Sequence, residues 1–587
     1  MSGIVSGEDN RPLAGATIII KGTTLSTLSL NDGSFVISAK PGDVLEVSFV
    51  GYKTRQITIG NESSFSIILQ IAITSLDDVV LTGYTSQKVK EITGSVAIVK
   101  PRDLTAVPAG QVEQMLQGRV AGLNIITSGQ PGGSTNVRLH GIGNFGDVTP
   151  LYIIDGVQGD INNLNPNDIE SLQVLKDAGA YSIYGVRGAN GVIIITTRSG
   201  KIGKTKITYD FYIGTTRPLK EGPDLLDPQG VADRKWLALK NSGQVGGNGN
   251  PNDPLYGNGP NPILPDYFIP DWGIGLFAND PLADPALYNI DFTSGPIYQI
   301  VKANKEGTDW FHELFKPAFS QNHSLAVSGA SEKNKYLFSF AYLDQQGTFL
   351  NTYLKRFTTR INTEFAVNKN IRIGENVQLT YRDNPRIATQ RGPNNNEIFN
   401  SIVTQPIIPI YDIKEGWGHL NPGYFGDNAV AARSIGKDNK TNYWQVFGNV
   451  FAEVDFLKSF TARTNFGGSL DNYYSYNYYY DTYHPLPTGL PNNIFTESSG
   501  YRRSWTWTNT LTFSRDLGND HHINALAGIE AIDNYNREVG GLKRSFLTND
   551  INYLFLTNGS QAGQSNYSFA GTSTLYSFIS QADYSFK

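Results

Sequence analysis

Hydrophobic and polar positions alternate with period two from Lys204 onward, in segments of roughly ten residues. One segment places Tyr336, Phe338, Phe340 and Tyr342 on one face of a predicted strand and small residues on the other. Further segments repeat the pattern at Phe357, Ile361, Phe365 and Val367, at Val446, Val450, Val454 and Phe456, at Trp505, Trp507, Leu511 and Phe513, and at Tyr576, Phe578, Tyr584 and Phe586. The pattern predicts about ten such strands.

The links between these segments favour one kind of β-architecture. Short turns are predicted at Glu332-Lys333, Asn368–Asn370, Leu457-Lys458 and Arg515–Asp520. Longer links are predicted at Thr216–Gln321, Asn384–Thr441, Ser475–Gly500 and Asn536–Thr572, with a shorter one at Gln345–Asn351. A soluble β-sandwich also has period two, but short turns at one rim and long loops at the other are typical of an outer-membrane β-barrel.

The first 70 residues have a different pattern. Short apolar runs are separated by Asx-Gly and Pro-Gly turns, which predicts a compact β-sandwich. The segments PLAGATIIIKGT, NDGSFVIS and VSFVGYKT resemble the carboxypeptidase regulatory-like domain. That resemblance implies no peptidase, and the chain has no H-E-x-x-H motif. We interpret the adjacent His521 and His522 as a polar turn end and expect no metal site.

Short helices and strands alternate between residues 93 and 201, which predicts a small mixed α+β domain. Its end, residues 172–201, predicts a helix through Leu175, Ala178, Tyr181 and Ile183, a glycine-rich hinge, and an apolar strand from Val192 to Thr197. Gly141-Ile142-Gly143 is interpreted as a turn, because neither a helix nor a P-loop lysine follows it. We interpret Asp155 as a turn-capping residue, since no partner carboxylate or base stands at a defined spacing from it.

The amino-acid sequence of this domain is similar to the plug of TonB-dependent outer-membrane transporters of the SusC/RagA family. The resemblance rests on LQGRVAGL, RLHGIG, PLYIIDGV, DIESLQVLKDA and IYGVRGANGVIIITT. The plug-motif residues that it marks are Arg119, Arg138, Gly141, Asp155, Gly156, Lys176, Asp177, Tyr184, Gly185, Arg187, Gly188, Asn190 and Gly191.

A linker precedes the plug and contains a candidate TonB box. Its residues are Leu76, Asp77, Asp78, Val79, Val80, Leu81, Thr82, Gly83 and Tyr84. A β-prone segment of this kind can pair with a strand of another protein, and the resemblance implies that this partner is TonB. The alternative is an ordinary first strand of the plug.

The resulting fold class is mainly β. We expect a sandwich at 1–72, a linker with the box at 73–92, the plug at 93–201 and the N-terminal portion of a transmembrane β-barrel at 202–587. A plugged lumen belongs to barrels of about 22 strands, and the resemblance implies that size. Because Met1 is not followed by a secretory signal and about ten strands are too few, we expect a fragment or a trimmed chain.

Composition changes this picture little. The net charge of −5 and the absence of a basic block argue against nucleic acid, and the 39% hydrophobic content includes no apolar run of transmembrane-helix length. Glycine, tyrosine and phenylalanine are abundant, and these residues are typical of turns, of the aromatic girdles of membrane barrels and of strands. The chain has no cysteine. No cofactor is expected.

The resemblance implies TonB-dependent import of a glycan or peptide across the bacterial outer membrane, with a SusD-like lipoprotein, lipid around the barrel, and the sandwich and plug on the periplasmic side. Candidate ligand or lid contacts are Trp417, Tyr424 and Phe425, and Tyr473–Tyr480 are predicted first as girdle residues. Alternatives are a siderophore-type receptor and a surface receptor or adhesin anchored by the barrel. An enzyme is not expected, since no catalytic constellation stands out.

Overall fold

The computed structural model describes the chain except residues 8–10, 24, 50–51, 61–63, 71–78, 83–84, 89–93, 144–145, 219–221, 291–296, 386–396, 421–427, 481–492, 519, 549 and 587. The chain divides into two compact units. The first contains Met1–Val80 and Ser86–Ile92, and the second contains Leu81–Thr85 and Thr93–Lys587.

The first unit contains a β-sandwich, which confirms the predicted fold. Its strands are β1 (Ser2–Gly7), β2 (Thr17–Ile20), β3 (Ser26–Leu28), β4 (Ser34–Val36), β5 (Val44–Ser48), β6 (Arg55–Thr58) and β7 (Ser64–Leu69). The sheets have the orders β4-β1-β7 and β3-β2-β5-β6. Alternate residues such as Val5, Ile18, Leu45 and Ile67 are fully buried in the shared core, as expected for strands with one solvated face.

The strands β8 (Val79–Thr82) and β9 (Thr85–Lys88) follow and form a separate two-stranded sheet. β8 is the described part of the candidate TonB box. Leu76, Asp77, Asp78, Gly83 and Tyr84 lie outside the described residues.

The predicted plug is a mixed α+β domain. Its elements are β10 (Val96–Val99), α1 (Pro101–Thr105), α2 (Val112–Met115), β11 (Leu123–Thr127), β12 (Thr135–Leu139), β13 (Leu151–Ile154), β14 (Val157–Gln158), β15 (Ile169–Leu175), α3 (Ala178–Tyr181) and β16 (Val192–Thr197). Five strands form one sheet in the order β10-β15-β16-β13-β14. Its central strands are apolar on both faces because each face packs on its own hydrophobic cluster.

The helix predicted through Leu175, Ala178, Tyr181 and Ile183 is wrong at its start. Leu175 ends strand β15 and pairs with Val192 and Val96. Only Ala178–Tyr181 is α-helical, and a 3₁₀ segment, Ser182–Gly188, follows it. Burial of Leu175 in the sheet core outweighs its helical spacing to Ala178.

The remaining strands and helices belong to the second half of the chain. The strands are β17 (Gly203–Thr216), β18 (Tyr267–Ile269), β19 (Ile274–Leu276), β20 (Val301–Lys302), β21 (Ala318–Ala330), β22 (Asn334–Gln346), β23 (Tyr353–Asn368), β24 (Ile371–Asn384), β25 (Lys440–Phe456), β26 (Phe460–Tyr480), β27 (Asn493–Leu517), β28 (His521–Arg544) and β29 (Ser560–Phe586). The helices are α4 (Pro228–Asn241), α5 (Trp310–Leu314), α6 (Glu397–Val403) and α7 (Ala429–Ile435).

Ten of these strands, β17 and β21–β29, form one antiparallel sheet in chain order. This confirms the predicted number of strands and the partial barrel. Within the described residues β17 and β29 each pair on one side only, so the sheet is an open wall. The short turns lie where the sequence predicts them.

Two predicted long links are too long. β26 through β29 contain 21, 25, 24 and 27 residues, so the links at Ser475–Gly500 and Asn536–Thr572 shrink to 481–492 and 545–559. Apolar and polar residues no longer alternate regularly in these extensions, so the period-two pattern does not predict them as strands. Tyr478 is not a girdle residue there, because it is 4% exposed and packs with Phe495 and Phe546.

The links before β21 and before β25 fold together into an outer subdomain. The first link contains α4, α5 and β18–β20, and the second contains α6 and α7. Trp236, Tyr256 and Trp310 of the first link share a core with Ile407 and Val430 of the second. The two links therefore form one packed body.

Candidate functional site: the plug–wall contact

The sheet wall has one polar and one apolar face. Residues of one parity are buried and polar: Ser324, Ser339, Thr358, Arg360, Gln378, Gln445, Asn465 and Thr508. Residues of the other parity are exposed and apolar: Phe338, Phe340, Leu379, Val450, Phe466 and Trp507. This pattern is typical of a β-barrel that has a polar interior and an apolar outer surface. The polar face holds the plug.

Arg360, on β23, is the central residue of this contact. It is 1% exposed and donates to Asp155 Oδ2 at 3.2 Å and to Thr197 Oγ1 at 3.1 Å, both in the plug. On the wall it donates to Asn362 Oδ1 at 3.3 Å and to Gln378 Oε1 at 3.0 Å. We call these five residues the Arg360 cluster. A buried charge is stable only when it is paired and hydrogen-bonded, so the cluster ties the plug to the wall.

Local backbone geometry places Asp155 in this cluster. Asp155 and Gly156 have φ values of 50° and 87° and form the two-residue turn between β13 and β14, as a type I′ hairpin turn requires. The Asp155 carboxylate also accepts from Thr197 N at 2.9 Å and Thr197 Oγ1 at 2.8 Å. The turn, the end of β16 and the wall therefore meet at one carboxylate.

A second contact lies at the 3₁₀ segment Ile161–Asn163. Asn163 donates to Gln445 Oε1 at 3.1 Å, and its carbonyl accepts from Gln378 Nε2 at 2.9 Å. Arg356 donates to the carbonyl of Asn162. Nearby, Phe447 of β25 is 4% exposed and packs into the plug core.

A third contact joins the glycine-rich hinge of the plug to β28. Arg187 forms an ion pair with Glu530, which is 3% exposed. Thr508 Oγ1 donates to the other carboxylate oxygen of Glu530 at 3.0 Å. Gly185 takes a φ of 57° at this hinge, a conformation that glycine adopts without strain.

Comparison with known proteins agrees with this architecture. Residues 88–192 match the family described as the TonB-dependent Receptor Plug Domain, and residues 1–81 match the CarboxypepD_reg-like domain. The chain is similar to TonB-dependent receptor P26 of Formosa agariphila, with 28% identity over 90% of this chain and 48% of that protein. It is also similar to TonB-dependent receptor SusC of Bacteroides thetaiotaomicron, with 26% identity over 94% and 50%.

The fold also matches solved structures. The RagAB peptide importer in its open-open state superposes with a TM-score of 0.68 and 24% identity, over 86% of this chain and 55% of that one. The chain is similar to TonB-dependent receptors of the SusC type. It spans about half the length of the curated relatives it matches.

Other plug-motif residues support the plug itself. Asp177 caps α3 through Ala180 N at 2.9 Å and also accepts from Ser95 N, and both bonds lower its pKa. Lys176 N donates to the Ser95 carbonyl at 3.0 Å. Tyr184 is buried in the sheet core.

The remaining motif residues serve turns and local bonds. Arg119 Nε donates to Met115 O at 2.7 Å, and Asn190 Nδ2 donates to Asp147 O at 2.8 Å. Arg138 lies on β12, and Gly188 ends the 3₁₀ segment. Gly141 and Gly191 have φ values of 90° and 88°. Most of these residues thus support the plug internally, whereas Asp155 and Arg187 contact the wall directly.

The plug also contains a buried acidic contact that the sequence reading missed. Glu113 accepts from Tyr152 Oη at 2.6 Å and from Asn162 Nδ2 at 2.8 Å. Burial raises the pKa of this carboxyl, although both hydrogen bonds oppose the rise. The contact joins α2 to β13 and to the 3₁₀ segment that faces the wall.

The predicted ligand contacts are only partly described. Tyr424 and Phe425 lie outside the described residues. Trp417 is half-buried at the edge of the outer subdomain and stacks on the exposed Tyr411 ring, with centroids 5.0 Å apart. Its carbonyl accepts from Gln299 Nε2 at 3.0 Å. Its role in binding stays a prediction.

The wall residues Arg360, Gln378 and Glu530 were missed by the sequence analysis. Strand alternation could have identified them, because each residue lies on the polar face of a strand whose other face is apolar. His521 and His522 open β28 and contact Tyr584 Oη and Asp516 Oδ1, each at 2.7 Å. No group of three or more metal-ligating side chains occurs in the described part of the chain. None of its described helices has the length and apolar character needed to span a bilayer.

Proposed function

We propose that this chain forms part of an importer of the bacterial outer membrane that TonB drives. The observation that carries the proposal is the plug bound to the polar face of the strand wall through buried charges, with strand β8 upstream of it in sequence. A plug held by polar contacts, with Phe447 as an apolar contact to its core, can be released with little apolar surface exposed to water.

The sheet order supports a route for the pulling force. β10 is the first plug strand after the candidate box and lies at the edge of the five-stranded sheet. Among the described residues it pairs with β15 alone, from Val96 opposite Leu175 to Val99 opposite Leu172. Tension applied from residues 76–84 reaches β10 first and peels it from one end, because no described strand of the plug sheet pairs with its outer edge.

The Arg360 cluster lies at the other side of that sheet, next to the β13–β14 turn. In this proposal β10 separates from the plug sheet first, and the polar contacts between the plug and the wall break afterwards. Substrate then passes between the plug and the wall into the periplasm. In this proposal the sandwich and the plug lie on the periplasmic side, and the outer subdomain faces the medium.

We propose a glycan or a peptide as the substrate and a SusD-like surface lipoprotein as the partner. The similarity to SusC and to a peptide importer supports this class of cargo. Exposed aromatic rings on the outer subdomain, such as Tyr411 stacked on Trp417, suit sugar rings or apolar side chains.

The decisive experiment replaces residues 76–84 of the full-length protein with a Gly/Ser segment of equal length. Uptake of labelled oligosaccharide and oligopeptide mixtures is measured beside surface binding and outer-membrane assembly. We expect uptake to stop while binding and assembly persist. Unimpaired uptake by the assembled variant contradicts TonB coupling. A native protein that binds but never imports is an anchored receptor or adhesin.

The partner is tested on the full-length protein purified from outer membranes in mild detergent. Mass spectrometry of co-purifying proteins is expected to find a stoichiometric lipoprotein. An intact barrel that purifies alone contradicts the lipoprotein partnership and moves the search to small ligands of a lone receptor.

A further inference from the structure

A polar cavity lies between the plug and the wall, beside the Arg360 cluster. It encloses about 330 Å³, which is at the lower end of the range of small-ligand pockets. Its lining includes Asp155, Gly156, Thr197 and Ser199 of the plug and Phe451 and Asn465 of the wall. Asp155 and Thr197 therefore belong both to the cluster and to the cavity.

The cavity lies on the short-turn side of the cluster. Along β23, Arg360 is followed by Asn362 and Glu364, which line the cavity, and then by the short turn that ends the strand. Lys335, near the start of β22 and beside another short turn, also lines it. Solvent reaches this side, because Ser199 lines the cavity and is exposed. Along β23 the cluster thus lies between the cavity and the long-loop rim.

The charged groups around the cavity are already paired. Lys335 Nζ donates to Glu364 Oε1 at 2.9 Å, and Arg463 Nη1 donates to Glu453 Oε2 at 3.0 Å. The Arg463 guanidinium also lies 4.3 Å from the centroid of the Phe451 ring. Because each charge has its counter-ion, the lining favours a neutral ligand over an ionic one.

Neutral polar groups of the lining are available to a ligand. Asn465 Nδ2 and Asn376 Oδ1 form no hydrogen bond with another described residue. The same holds for the hydroxyl groups of Ser199 and Thr510 within the described part of the chain. These amide and hydroxyl groups offer both donors and acceptors, and the Phe451 ring supplies an apolar surface beside them. Such a lining matches a sugar unit, which carries many hydroxyl groups and no charge.

The Asp155–Gly156 turn closes the cavity toward the Arg360 cluster. It connects β13 to β14, a strand of two residues at the edge of the plug sheet. A Cβ atom added to Gly156 would lie 3.4 Å from Asn465 Nδ2, so the turn contacts the wall here. A short edge strand has few backbone hydrogen bonds to break, and the turn is therefore a part of the plug that can leave the wall locally.

We propose that this cavity is a transient cargo site on the import route, and that it binds a neutral sugar unit of the cargo. When the hydrogen bond between Arg360 and Asp155 breaks and the turn leaves the wall, the cavity joins the space on the long-loop side. The sugar then binds the free amide and hydroxyl groups before it leaves on the short-turn side. This inference rests on the proposed function and deepens it, because it places the route along β23–β27.

The test fills the cavity after the protein has assembled. Thr510→Cys is introduced into the full-length protein in a background without other cysteines. Cells are treated with bulky N-pyrenylmaleimide or with methyl methanethiosulfonate, which adds only a small methylthio group, and mass spectrometry confirms each modification. The pyrenyl adduct should abolish uptake of a labelled oligosaccharide mixture, and the methylthio adduct should leave most of it. Ser199→Cys, on the plug side of the cavity, should behave in the same way.

The matched control is Lys333→Cys, an exposed position in the short β21–β22 turn that does not line the cavity. Either adduct at this position should leave uptake unchanged. Unchanged uptake with the pyrenyl adduct in the cavity would overturn the proposal. Equal loss with the methylthio adduct would also overturn it, because the block would then not depend on the volume filled.

Two further readouts separate the parts of the proposal. A pyrenyl adduct that stops the uptake of labelled oligopeptides and leaves that of oligosaccharides would overturn the assignment to a sugar. The unmodified Thr510→Cys protein and the native protein are measured in parallel. Failure of both to import contradicts the proposed function itself, whereas import that continues with a filled cavity contradicts only this site.

Discussion

A disulfide across the edge of the plug sheet should stop transport without disturbing assembly. Ile98 of β10 stands directly opposite Gln173 of β15. Directly opposed residues of antiparallel strands have Cα atoms about 4.5–5.5 Å apart, within the range of disulfide geometry. The chain has no cysteine, so the double variant Ile98→Cys/Gln173→Cys forms one defined bridge.

The bridge prevents β10 from separating from the sheet, and the free energy of that separation follows from the structure. Four residue pairs hold β10 on the sheet, corresponding to about four backbone hydrogen bonds at about 1 kcal/mol each. Burial of Val99, which is 4% exposed, adds about 2 kcal/mol. Separation of β10 thus requires about 6 kcal/mol. The inner strands pack on both faces and require more, so β10 should yield first.

The assay compares oxidised and reduced protein in the same cells. The oxidised variant should assemble normally and lose uptake, and a reductant should restore it. The matched control is Ile126→Cys/Asn136→Cys, an exposed opposed pair in the β11–β12 hairpin, which should import in both states. Native uptake rates with a fully oxidised Ile98–Gln173 bridge would refute the peeling of β10.

Three further predictions concern the plug core, its anchor and the outer surface. Glu113→Gln should lessen the loss of plug stability with rising pH, because a carboxyl whose folded pKa is raised contributes stability below its unfolded pKa and loses it as pH rises through the folded pKa. Urea midpoints across pH measure this effect. Phe447→Ala should weaken plug docking by about 3 kcal/mol, seen as entry of a large antibiotic into cells. Trp417→Ala should weaken substrate or lid binding in a titration, and Trp272→Ala, outside that ring stack, should not.

The sequence predicts the architecture well where alternation is strong. Ten strands, their short turns and the sandwich follow from period two and from turn residues. Prediction fails where apolar and polar residues stop alternating along a strand, as at Thr496–Gly500 of β27 and Ser560–Asn566 of β29. It also fails at Leu175, where helical spacing and sheet burial compete and only tertiary packing decides.

The candidate site is less accessible to sequence reasoning. Asp155 is recognisable as a turn residue, but its pairing with Arg360 joins positions 205 residues apart. Neither partner has a local pattern that names the other. Arg187 and Glu530 are separated even further along the chain. Such contacts depend on how one domain docks against another, and the local alternation of apolar and polar residues contains no information about that docking.

The most direct test of TonB-driven import is site-directed cross-linking at strand β8. Single cysteines at Val79, Val80, Leu81 and Thr82 of the full-length protein are introduced in cells whose TonB carries one cysteine. We expect disulfide-linked complexes at these positions during uptake, and none at Lys53→Cys in the sandwich. Uptake that proceeds without a cross-link at any of the four positions would contradict TonB-driven import.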